Sequence, residues 1–132
     1  MLENVGNTCK VLVIEDDTLT RMTICNILKK EHYKTSEACT GLMGVTQLRR
    51  ERPDIVITDI MMPDKGGLET INEIRAIDPS IKIIAMSAGV PEDANSLLGL
   101  AEEIGAVNSL CKPFTPQQLL HVLRMTQGEI PK

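Results

Sequence analysis

Val11-Leu12-Val13-Ile14-Glu15-Asp16-Asp17 places four aliphatic residues in a row and three carboxylates directly after them. A strand with one wet face alternates apolar and polar side chains, so an unbroken apolar run predicts a strand covered on both sides. Ile55-Val56-Ile57-Thr58-Asp59 repeats the pattern, and Ile81-Lys82-Ile83-Ile84-Ala85-Met86, followed by Ser87, is a third apolar run rich in β-branched residues, broken only by Lys82. Lys34 to Cys39 and Asn108 to Cys111 are two further, more polar strand candidates.

Helical spacing fills the intervals. Thr20, Ile24, Ile27 and Leu28 fall at i, i+4, i+7 and i+8, and Leu68, Ile71, Ile74 and Ile77 recur every third residue, each set marking one buried helix face. Asp17 or Thr18 can cap the first helix. Thr115-Pro116-Gln117-Gln118 supplies a cap, a first-turn proline and a reciprocal partner, predicting a last helix from Pro116 to about Gln127. Pro53, Asp78-Pro79-Ser80 and Gly105 each close a helical segment.

Strands alternating with helices pair in parallel through right-handed crossovers. The expected fold is therefore α/β: a doubly wound, five-stranded parallel sheet with helices on both faces. Five strands suit the flavodoxin-like order 2-1-3-4-5 better than the six-stranded dinucleotide-binding order. Neither G-x-G-x-x-G nor G-x-x-x-x-G-K-[ST] occurs.

The 132 residues suit one domain, 1–132, with a core of about 10–125 and short flexible ends. Fourteen Lys and Arg against 18 Asp and Glu give a net charge of −4, which argues against a nucleic-acid groove that neutralises phosphates. Tyr33 and Phe114 are the only aromatic residues, too few for a base-stacking platform. No apolar run approaches the roughly 20 residues of a membrane span, and the opening residues lack a signal-peptide pattern, so a cytoplasmic protein is expected. Cys9, Cys25, Cys39 and Cys111 are scattered without a C-x-x-C pair and are expected to be unpaired, mostly buried thiols. The seven methionines are expected to fill core gaps, and His32 and His121 to be surface or partly buried residues rather than ligands.

In open α/β sheets the chemistry lies beyond the carboxyl ends of the strands. There the sequence places Glu15-Asp16-Asp17, Asp59, Ser87 and Lys112, one group per strand end. Parallel strands bring Glu15, Asp16 and Asp59 together, and crowded carboxylates repel one another unless a cation neutralises them. An all-oxygen set suits magnesium, or manganese in its place. Lys112 adds the remaining positive charge. Singly, each residue has an ordinary structural explanation, as a cap, a strand-end hydroxyl or a surface lysine; the combination is what points to an anion-binding metal site.

With these residues in view, the chain resembles the response regulator receiver domain, the CheY-like phosphoacceptor module of two-component signalling. The resemblance runs from about Lys10 to about Met125 and rests on Val11-Leu12-Val13-Ile14-Glu15-Asp16-Asp17, Asp54-Ile55-Val56-Ile57-Thr58-Asp59-Ile60-Met61-Met62-Pro63, Met86-Ser87-Ala88 and Lys112-Pro113-Phe114. It implies that Asp59 is the phosphorylated aspartate, receiving the group from a sensor histidine kinase or phosphotransfer protein. It also implies that Asp16 and Asp59 bind magnesium directly, Glu15 acts through metal-bound water, and Met61 contributes its backbone carbonyl. Lys112 would pair with phosphoryl oxygens and Ser87 would hydrogen-bond one of them. Pro113 matches a proline that is often cis in the family. The output would be an altered surface read by a downstream protein or output domain.

Three departures accompany the matches. Ser109 stands where the family usually has an aromatic residue, so aromatic switching cannot operate in the usual way. The Ser87 to Lys112 segment is a few residues longer than usual and carries an expected fourth helix, which points to signalling through that loop and helix. Gly66 replaces a frequent aspartate before the glycine matched by Gly67. Gly89, being small, leaves the phosphoryl open to water and implies a phosphoaspartate of ordinary lifetime.

Two other functions fit parts of the pattern. A small phosphohydrolase could use Asp59 as nucleophile, but the acid-base carboxylate expected two residues on is replaced by Met61. A receiver-like module that binds a partner without phosphorylation would not need the full set of Glu15, Asp16, Asp59, Ser87 and Lys112.

Overall fold

A computed structural model describes residues 8–62, 66–87 and 99–128. In chain order the elements are β1 (Lys10–Ile14), α1 (Thr18–Lys30), β2 (Lys34–Ala38), α2 (Gly41–Glu51) and β3 (Ile55–Asp59). They continue with α3 (Gly67–Ile77), β4 (Lys82–Ser87), α4 (described over 99–104), β5 (Asn108–Cys111) and α5 (Pro116–Gln127). All strand pairs are parallel and the sheet order is β2-β1-β3-β4-β5, the doubly wound arrangement expected from the sequence.

Successive side chains of a strand point to opposite faces, and here each face meets its own helices. Val11, Val13, Ile55, Ile57 and Ile84 pack with Ile24 and Leu28 of α1 and Leu119 and Leu123 of α5. Leu12, Ile14, Val56, Ile83 and Ala85 pack with Leu48 of α2, Ile71 and Ile74 of α3 and Ala101 of α4. Two dry layers sandwich the sheet, which is why its central strands carry no alternation.

The helix ends follow from local chemistry. Asp17 caps α1, accepting the Thr20 N–H at 2.9 Å, so of the two candidates Asp17 is the cap. Thr40 caps α2 and Thr115 caps α5 through the full capping box with Gln118. Beyond α1 and α2 the chain turns through left-handed residues, His32 at φ 67° and Arg52 at φ 50°.

Two expectations need correction. Of the cysteines only Cys25 is buried; Cys9 and Cys39 are half-buried and Cys111 is exposed, because they lie before β1, after β2 and on the edge strand β5. Among the methionines Met86 is buried, but Met22, Met43 and Met61 are about half exposed, since they lie on helix rims and the loop after β3 rather than under a second layer. The β4 ladder also begins at Lys82 rather than Ile81, although Ile81 is buried. Residues 88–98, Gly89 among them, lie outside the described residues. Among the described residues no helix is long and apolar enough to cross a membrane.

Candidate functional site

The carboxyl ends of β1, β3, β4 and β5 meet at one edge. Register fixes who faces whom: Ile14 pairs with Thr58, Asp59 with Met86 and Ser87 with Cys111. Glu15, Asp59, Ser87 and Lys112 therefore arrive at one level although they are far apart in sequence. Glu15, Asp59 and Ser87 are buried, whereas Asp16 faces solvent.

Lys112 ties the level together. Its ammonium donates to Glu15 Oε1 at 2.5 Å and to Asp59 Oδ2 at 2.8 Å. The Lys112 backbone N–H donates to the Ser87 carbonyl at 2.8 Å, and the peptide that follows, to Pro113, is cis. The remaining carboxylate oxygens are also held: Glu15 Oε2 accepts from the Asp17 N–H and Asp59 Oδ1 from the Met61 N–H, both at 3.0 Å.

Burial pushes the Glu15 carboxyl above its usual range, with the Lys112 and Asp17 hydrogen bonds opposing it and the neighbouring Asp59 charge adding to it. Burial also works against the Lys112 ammonium, but the hydrogen bonds and charges of Asp59 and Glu15 outweigh it and hold Lys112 above the ordinary lysine value. Asp17 behaves differently, because hydrogen bonds from the Thr20 hydroxyl and N–H keep it below the usual carboxylate range. Asp17 is thus engaged in capping.

One carboxylate oxygen each from Glu15, Asp16 and Asp59 lies within 4.8 Å of the others. Three hard oxygen donors at this spacing, with one lysine among them, fit a small dication. The geometry brings together the side chains of Glu15, Asp16, Asp59 and Lys112, and the register places Ser87 one residue beyond the Asp59 partner on β4. Ser109 sits in β5 opposite Ala85, half-buried.

Two supporting residues were not singled out from the sequence for what they do. A Cβ on Gly67, the first residue of α3, would lie 2.2 Å from Ile60 Cα and 2.4 Å from the Asp59 carbonyl oxygen. Only glycine lets α3 start this close to the Asp59 backbone. Arg21 of α1 donates to the Glu15 carbonyl at 2.8 Å and to Glu37 Oε1 at 3.1 Å. Its spacing from Glu15, one turn into the capped helix, was the available signal.

Residues 11–124 match the family model of the response regulator receiver domain. The chain belongs to this family. The chemotaxis protein CheY of Thermotoga maritima is 35% identical over 115 residues, covering 86% of this chain and 93% of that protein. Sporulation initiation phosphotransferase F of Bacillus subtilis is 31% identical over 105 residues, covering 80% and 82% respectively. Among solved structures, a response regulator from Thermotoga maritima superposes with a TM-score of 0.80 at 29% identity, covering 92% of this chain and 98% of that one. Receivers of this family are signalling domains of two-component systems rather than conventional enzymes, and they work between kinases or phosphotransfer proteins and output partners.

Proposed function

We propose that this receiver accepts a phosphoryl group on Asp59 from the phosphohistidine of a sensor kinase or phosphotransfer protein, with magnesium or manganese bound by Glu15, Asp16, Asp59 and the Met61 carbonyl. The observation that carries this reading is the Lys112 ammonium bridging the two buried carboxylates, Glu15 and Asp59. A half-buried cation held between two anions on converging strand ends is poised to exchange one of them for an incoming phosphoryl oxygen.

The chemistry asks little of the protein beyond position and charge. A carboxylate oxygen of Asp59 bonds to phosphorus as the P–N bond to the donor imidazole breaks, and the electron pair of that bond leaves with the imidazole nitrogen. Lys112 follows the new negative charge and neutralises phosphoryl oxygens. Ser87, at the end of β4, donates its hydroxyl to one of them, and this draws the strand-end loop inward. When bound, the dication supplies the positive charge that lets an anionic donor approach three carboxylates. The Met61 N–H holds Oδ1 of the acceptor carboxylate in place.

The partners on this reading are a sensor histidine kinase or phosphotransfer protein on the input side and a downstream protein or output domain on the other. No nucleic acid is contacted directly. The test is intact mass after incubation with acetyl phosphate and magnesium. One phosphoryl addition, abolished by Asp59→Asn and by a chelator, is expected. No addition with any donor overturns the reading in favour of a phosphorylation-independent interaction module.

A further inference from the structure

We infer that Arg21, braced by Glu37, is a positioning residue that sets the direction of the Asp16 carboxylate and so the cation affinity of the acidic site. The inference rests on the proposed metal-dependent function and deepens it.

The starting point is a gap in the ladder. The Glu15 N–H donates to the Ala38 carbonyl at 3.0 Å, continuing the β1–β2 pairing past the last strand residue. In a parallel ladder the carbonyl of such a residue would next accept the N–H two places further along its partner, that of Thr40. Thr40, however, has left the sheet to cap α2. Among the described residues no backbone N–H takes the Glu15 carbonyl. The Arg21 guanidinium takes it instead at 2.8 Å.

That guanidinium is itself fixed. Arg21 is 15% exposed, and its Nε donates to Glu37 Oε1 at 3.1 Å. Glu37 is held in turn, since its backbone carbonyl accepts from Gln47 Nε2 of α2 at 3.1 Å. A chain of contacts from α1 through β2 to α2 thus ends on the peptide joining Glu15 to Asp16.

This matters because of what Asp16 lacks. Glu15 and Asp59 have their carboxylates held by Lys112 and by backbone N–H groups, but among the described residues no side-chain hydrogen bond or ion pair holds the exposed Asp16 carboxylate. Its aim is therefore decided by its backbone. The peptide before it is pinned by Arg21 and the N–H after it by Glu15 Oε2. Loss of the first pin lets that peptide rotate and swings Asp16 away from its two partners.

Charge and positioning make opposite demands, which gives the test its sign. Removing a nearby cation strengthens magnesium binding if Arg21 acts only through its charge. Removing the brace weakens it, and loss of outer partners of metal ligands typically costs about 10-fold or more in affinity. Magnesium should be titrated calorimetrically into the wild-type chain, Arg21→Gln and Arg21→Lys, with thermal melting in chelator as a check of folding. Both variants are expected to bind about 10-fold more weakly. Arg21→Lys retains the charge but cannot span both acceptors, and it carries the test alone if Arg21→Gln fails to fold. Unchanged or tighter binding by the folded variants overturns the brace. Absence of magnesium binding by the wild-type chain overturns the metal-dependent reading itself, and the brace with it.

Discussion

Gly67→Ala is the substitution with the sharpest geometric consequence. The added methyl would meet Ile60 Cα at 2.2 Å, the Asp59 carbonyl oxygen at 2.4 Å and the Asp59 carbonyl carbon at 3.0 Å, all of them backbone atoms. A flexible side chain could swing aside, but here α3 and the end of β3 must part. Opening the shortest contact to an ordinary 3.4 Å moves backbone by 1.2 Å. Overpacking of this kind costs about 1–3 kcal/mol. Alanine regains up to about 1 kcal/mol as a better helix former. A net loss of about 1–2 kcal/mol should appear as a lower urea midpoint. Function should suffer more, since misplacing a reacting group by about 1 Å can cost about 10²-fold in rate. The assay is the time course of acetyl phosphate labelling by intact mass, with Gly99→Ala as control because a Cβ there meets nothing within 4 Å. Labelling of Gly67→Ala at the wild-type rate with an unchanged midpoint would refute the reasoning.

Other perturbations address the charge cluster and the thiols. Lys112→Met strips Glu15 and Asp59 of their shared counterion and should cost about 3 kcal/mol at neutral pH in chelator. The loss should shrink as pH falls and Glu15, whose carboxyl burial holds above its usual range, protonates; a pH-independent loss in urea titrations contradicts this. Glu15 has a raised pKa in the folded chain, so its contribution to stability is fully present below the unfolded value near 4.5 and is lost as pH rises through the folded value. Glu15→Gln should therefore flatten the decline in stability above pH 4.5 in chelator, and an unaltered slope counts against a buried, strained carboxylate. Burial pushes the Cys25 thiol up to about 11, whereas Cys111 is exposed. Alkylation at mildly basic pH, mapped by peptide mass, should reach Cys111 first and Cys25 only on unfolding.

The fold was legible where burial is two-sided. Ile55-Val56-Ile57-Thr58 is covered by both helical layers, so its composition alone marks a central parallel strand. β2 reads Lys-Thr-Ser-Glu-Ala and lies at the sheet edge, where one side is open and polar residues are tolerated; its pattern is correspondingly mixed. The candidate site was legible because parallel strands order their ends: once the runs are located, the residues after them must share an edge. What sequence could not supply were relations between backbone and distant side chains. Nothing in the letters says that the helix starting at Gly67 touches the Asp59 backbone, or that the Glu15 carbonyl lacks a ladder partner and meets Arg21. The exposure of Cys111 was missed for a similar reason, because a short edge strand covers only one of its faces.

The placement of β3 has one more consequence. It is the middle strand of five, hydrogen-bonded to β1 and β4, with Ile55 and Ile57 in one layer and Val56 in the other. A segment confined from all four sides has surrendered its configurational freedom during folding, so on the proposed function holding Asp59 ready would add no further entropic cost when a donor arrives. Preorganisation of Asp59 is thus a by-product of strand order. In hydrogen–deuterium exchange the β3 amides should be among the last to open, behaving as part of the global folding unit rather than as a local active-site motion.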